Sequence, residues 1–168
     1  MLLAEVNQKM EVNLDKIMSD LNKVGFKKFF KQTDAIKRHL RLKDSDIEAL
    51  TKESYVLCQH RQWAQAIEAI IYLILCNPLH SFHYLRLGTV LLQMGKFEDA
   101  IQIFQMAHYL NTKDPRPLLY VGDCYLELDH PKEAKKAFAC CLEIARAHPE
   151  HKEVYNLASQ ALKEIQYL

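Results

Sequence analysis

Glycine is scarce in this sequence, with four in 168 residues, and proline adds only five. So few turn-forming residues leave little room for a many-stranded β protein and favour long helical elements. No excess of either charge exists: Lys and Arg total 22 against 21 Asp and Glu. The chain therefore has no overall basic field to draw it to nucleic acid or to an anionic membrane. The five cysteines, Cys58, Cys76, Cys124, Cys140 and Cys141, are odd in number and show no C-x-x-C spacing. That arithmetic argues against a disulfide framework and a structural zinc site and for a reducing, cytoplasmic setting. Long apolar runs are missing too, since IYLILCNPL (71–79) is broken by Pro78 and falls short of a membrane span. No apolar leader of signal-peptide length precedes it.

Catalytic signatures are equally absent. There is no glycine-rich phosphate loop, no G-x-S-x-G and no H-E-x-x-H, so the expectation is a non-enzyme without cofactor or metal. The pairs His80/His83 and His148/His151 have three-residue spacing, but spacing supplies no third or fourth ligand.

What is present is a period. Gly88 and Gly122 lie 34 residues apart, as do Leu91 and Tyr125, Ala100 and Ala134, Phe104 and Phe138, and Pro115 and Pro149. One period earlier stand Leu50, Leu57, Trp63, Ala66, Ile70 and Pro78. The reading is all-α: three repeats, 47–80, 81–114 and 115–148, each two helices around a tight turn. The turns fall at Arg61-Gln62, Gly95-Lys96 and Asp129-His130-Pro131. Gly88 and Gly122 are expected to admit the second helix of each pair, beside the bulky Phe104 and Phe138. Gly95 is expected to close its helix in the left-handed conformation. Cys141, at the repeat position of Leu73 and Ala107, is expected to be a small buried hydrophobe.

Residues 149–168 read as a helix that caps the last repeat, with Val154, Leu157, Ala161, Leu162 and Ile165 on one face. Residues 1–46 read as a helical arm. Its stripe, Val6, Met10, Leu14, Ile17, Leu21 and Val24, is suited to bury one face against another helix. Either repeat one or a second subunit can supply that helix, and Met10, Leu14, Ile17 and Leu21 are the candidate homodimer seam. The stretch FKKFFKQTDAIKRHLRL (26–42) is basic and aromatic. It can meet RNA or an acidic surface, or pack Phe26, Phe29 and Phe30 on repeat one. Ser45-Asp46-Ile47-Glu48 has the pattern of a capping box at the start of the repeats.

The first helix of repeat two carries two apolar stripes. Tyr84, Leu87, Gly88 and Leu91 meet the paired helix, while Phe82, Leu85, Thr89 and Leu92 point elsewhere. The second stripe either lines the concave wall of a repeat stack, as an exposed docking surface, or is covered by the neighbouring repeat.

The pattern Y-x-x-L-G-x-x-L, A-x-x-x-F and a late proline resembles the tetratricopeptide repeat, although repeat one has Glu53-Ser54 in place of Leu87-Gly88. Within that group, HSFHYLRLGTVLLQMGKFEDA (80–100) and KDPRPLLYVGDCYL (113–126) resemble the class II chaperones of bacterial type III secretion. That resemblance implies a cytoplasmic bacterial chaperone that holds an extended apolar segment of a secreted client, a translocator or a gatekeeper-type protein, in its groove. The implied groove residues are Thr51, Tyr55, Phe82, Leu85, Thr89, Leu92, Leu119, Asp123 and Leu126. The implied partner is that client; the arm stripe suggests a second copy of the chain, and composition points to neither nucleic acid nor membrane insertion. The alternative is a general tetratricopeptide adaptor or co-chaperone scaffold that clamps a C-terminal carboxylate. Such a clamp calls for Lys and Asn where Thr51, Tyr55, Arg86 and Arg116 stand.

Overall fold

A computed structural model describes residues 43–165. The candidate seam Met10, Leu14, Ile17 and Leu21, and the basic aromatic stretch 26–42, lie outside the described residues. Two compact units are present, divided between His80 and Ser81. The first contains α1 (Asp44–Gln59) and α2 (Trp63–Cys76). The second contains α3 (Ser81–Gln93), α4 (Phe97–Leu110), α5 (Arg116–Glu127), α6 (Pro131–Ala147), a short 3-10 turn (Pro149–His151) and α7 (Lys152–Ile165). Among the described residues no helix is long and apolar enough to cross a membrane.

The hairpin turns explain where the paired helices end. Arg61, Gly95 and Asp129 have φ of 56°, 72° and 57°, so one residue per turn adopts the left-handed conformation. In each turn the same two bonds recur. The Gly95 N–H donates to the Leu92 carbonyl at 3.0 Å and the Lys96 N–H to the Leu91 carbonyl at 2.9 Å. Arg61 and Gln62 repeat this on Cys58 and Leu57, and Asp129 and His130 on Leu126 and Tyr125. This double closure satisfies carbonyls that a helix end otherwise leaves open. Only the middle turn uses glycine, the residue for which that conformation is free of steric cost.

Inside each hairpin the packing follows the sequence period. A Cβ built on Gly88 meets the Phe104 ring at 2.5 Å, and one on Gly122 meets the Phe138 ring at 2.4 Å. Each glycine is thus the floor on which a phenylalanine lies, and Ala100 and Ala134 beside them are wholly buried. The first unit solves the same problem differently. Ser54 is buried where the glycines stand, Ile70 takes the place of the ring, and the Ser54 hydroxyl donates to the Thr51 carbonyl at 2.7 Å. A smaller aliphatic partner leaves room for a Cβ, so the departure of repeat one from the glycine pattern is compensated within the pair.

In the second unit α3 pairs with α4, α5 with α6, α4 packs on α5, and α7 packs on α6. The α4–α5 contact includes the stacked rings of Phe104 and Tyr120, 5.2 Å apart. Leu119, Ala134, Phe138, Cys141 and Ala158 form a core onto which Val154, Ala161, Leu162 and Ile165 of α7 fold. The centre of the α7 face is therefore Ala158, and Leu157, expected on that face, is 55% exposed at its edge. At the other end of the described chain α1 begins one residue before Ser45. Its cap is Lys43, whose N–H donates to the Asp46 carboxylate at 2.8 Å, so the expected capping role of Ser45 is corrected.

Candidate functional site

The expected groove residues divide by unit. In the first, the Thr51 hydroxyl donates to the Ile47 carbonyl at 2.8 Å on half-buried α1, and Tyr55 is 59% exposed one turn further on. In the second, α3 supplies Phe82, Leu85, Thr89 and Leu92, and α5 supplies Leu119, Asp123 and Leu126.

Phe82 is 40% exposed, with the Arg86 guanidinium carbon 6.0 Å from its ring centre. Thr89 and Leu92 are half-buried, and the Thr89 hydroxyl is satisfied by the Arg86 carbonyl at 2.7 Å. Leu85 and Leu119 are different. They were expected on an open wall, but they are only 5% and 7% exposed. Leu119 is enclosed because it joins Phe138 and Cys141 of α6 and Ala158 of α7 in the core. Leu85 sits in a helix whose residues 83–88 are all buried. For these two leucines the second stripe is a packing face.

A cleft of about 520 Å³ lies where the end of α3 meets α5 and the start of α4. Three of the expected residues, Leu92, Asp123 and Leu126, line it together. Sequence reasoning missed its other walls, Gln93, Gly95, Phe97 and Glu127. The signal was available: Glu127 follows Asp123 by four residues on one helix face, and Gln93 occupies the same repeat position one period earlier.

Electrostatically the cleft is acidic. Burial, with the Glu127 charge adding to it, pushes the Asp123 carboxyl up to about 6. Burial likewise pushes the Cys124 and Cys141 thiols up to about 12, which keeps them protonated and poor nucleophiles at neutral pH. Elsewhere on the unit, Asp114 opens α5. Its carboxylate accepts from the Arg116 backbone N–H at 3.0 Å and from the guanidinium at 2.6–3.1 Å. Burial opposes ionisation of Asp114, but the Arg116 hydrogen bonds and charge prevail and hold it below its ordinary value. The His148 and His151 rings are 6.4 Å apart, and among the described residues no group of three or more His, Cys, Asp or Glu side chains is placed to hold a metal.

Comparison with known proteins agrees with this architecture. Family models of the tetratricopeptide repeat match residues 84–109 and 121–148. The chain is 22% identical over 142 residues, 84% of each chain, to low calcium response locus protein H of Yersinia pseudotuberculosis. It superposes on PcrH of Pseudomonas aeruginosa bound to the chaperone-binding region of PopD with a TM-score of 0.71, at 21% identity, over 75% of this chain and 95% of that one. On the type III secretion chaperone SycD of Yersinia enterocolitica, bound to a peptide of the translocator YopD, the TM-score is 0.69 at 22% identity, over 74% and 95%. Two stretches of the second unit thus match the tetratricopeptide repeat, and the fold is that of PcrH and SycD.

Proposed function

We propose that this chain is a type III secretion chaperone that holds an extended apolar segment of a translocator against the wall formed by α3 and α5. The observation that carries the reading is the grouping of accessible residues at the two ends of that wall, exposed Phe82 at the start of α3 and half-buried Thr89 and Leu92 beside the cleft at Asp123 and Leu126. From Phe82 to Leu92 the wall spans about 15 Å at the helical rise, enough for roughly five residues of extended chain. Accessible apolar residues grouped beside a cleft are a feature of interaction surfaces. The relatives bound to PopD and YopD segments support the choice of a translocator as client.

The residues to test are Phe82 and Leu92, because neither belongs to the buried core. Leu119→Ala is unsuitable: emptying a buried site costs about 2–5 kcal/mol of folding stability and confuses unfolding with lost binding. The double variant Phe82→Ala/Leu92→Ala is expected to melt near the wild type and to lose at least about 30-fold in affinity, the equivalent of about 2 kcal/mol at an interface centre. Calorimetric titration with the translocator encoded in the same genome checks it. Unchanged affinity in the folded double variant removes this wall from the mechanism.

A further inference from the structure

The cleft at the end of α3 has a chemistry that an apolar client does not explain. Asp123 and Glu127 lie on one face of α5 beside a space also lined by Leu92, Gln93, Gly95, Phe97 and Leu126. Among the described residues no lysine, arginine or histidine pairs with either carboxylate. Like charges four residues apart on a helix are unfavourable, and a partly buried carboxylate without a partner is more so. One period earlier the same two positions hold Thr89 and Gln93. Thr89 satisfies itself on the Arg86 carbonyl, whereas the carboxylates, half-buried Asp123 and exposed Glu127, are paired with no basic side chain among the described residues.

Resting on the proposed chaperone role, we infer that this cleft receives a lysine or arginine side chain of the bound segment, its aliphatic stem against Leu92, Phe97 and Leu126 and its cation between Asp123 and Glu127. Charge complementarity selects this occupant: the walls suit a long aliphatic stem, the two carboxylates suit a cationic head, and no basic side chain lines the space. The cleft then fixes the register of the client, because an extended apolar chain slides along Phe82 and Leu92 with little loss, while a cation fits at one place.

The raised Asp123 carboxyl is consistent with a site that waits for a cation. The titratable groups facing it are Glu127 and the Cys124 thiol on its own helix and the Cys141 thiol on α6, while α3 and α4 present uncharged Gln93, Leu92 and Phe97. A bound ammonium or guanidinium favours the ionised form, so cation binding releases protons near pH 6 and weakens as pH falls below it.

The test uses overlapping synthetic 15-residue peptides that span the translocator encoded in the same genome, titrated into the full chain. The tightest peptide is then remade with each lysine or arginine replaced by norleucine, which keeps the stem and removes the charge. One replacement is expected to weaken binding about tenfold to the wild type and less than twofold to Asp123→Asn/Glu127→Gln, while Phe82→Ala weakens every peptide alike. Norleucine peptides that all bind as tightly as the parent overturn the inference and leave the apolar wall standing. Absence of binding by any peptide overturns the chaperone role and the inference with it.

Discussion

Phe104 and Phe138 show how much one absent methyl group decides. Each ring occupies the volume in which a Cβ on Gly88 or Gly122 would sit, so Gly88→Ala is expected to destabilise the chain by about 1–3 kcal/mol through overpacking. Phe104→Ile in the same chain should recover part of that loss, since Ser54 and Ile70 already form such a pair in the first unit. Thermal melts of the two single variants and the double variant measure the coupling, and simple additivity would contradict the packing account. The turns give a second test. Arg61 adopts a left-handed conformation that costs an L-residue about 1–2 kcal/mol, so Arg61→Gly should stabilise by up to about 1 kcal/mol, and Gly95→Ala should lose a similar amount. Exchange protection of amides in α1 and α2 reads the first, and a melting curve the second. The glycines and phenylalanines were legible in the sequence because a 34-residue period aligned them. The left-handed state at Arg61 was hidden, because arginine does not announce it, whereas aspartate at 129 is a residue type that tolerates it.

At the scale of an element, the start of α5 depends on one carboxylate. Asp114 caps the backbone of Arg116 and grips its guanidinium, and hydrogen bonds to charged groups are worth about 1.5–3 kcal/mol. Because the Arg116 side chain is 40% exposed, Asp114→Asn is expected to fall near the lower end of that range at pH 7. Its folded value is depressed, so the stabilisation is present above the ordinary carboxylate range and disappears as pH falls through the folded value. Acid unfolding followed by circular dichroism should show the wild-type and variant curves converge at low pH, and a gap that persists there contradicts the pairing. The α7 cap teaches a different lesson. Spacing placed Leu157 on the buried face, yet Ala158, wholly buried with Phe138 and Cys141 of α6, holds the centre. Hydrophobic spacing finds a face and leaves its midpoint to side-chain size. For the same reason Leu85 and Leu119 read as an open wall: a helix apolar on two sides needs two partners, and the sequence does not state whether the second belongs to the chain or to a client.

Across the molecule, the repeat architecture and its resemblance to translocator chaperones were readable from the period and the D-P-R turn. The site was readable only in part, since Leu92, Asp123 and Leu126 come together while Gln93 and Glu127 emerge from packing. Burial raises Asp123 to about 6, so this group contributes stability that is full below its unfolded value near 3.8 and is lost as pH rises through about 6. Asp123→Asn is accordingly expected to melt above the wild type at pH 8 and to lose that advantage at pH 4, as scanning calorimetry will show. The central claim, that the α3–α5 wall holds the client, is tested most directly by placing a photo-crosslinking amino acid at Phe82, at Leu92 or at Tyr109, which is 74% exposed on α4, and expressing each variant in the native host. The account predicts crosslinks from positions 82 and 92 to one short apolar segment of one translocator and none from 109. Crosslinks to that translocator from 109 alone would contradict it.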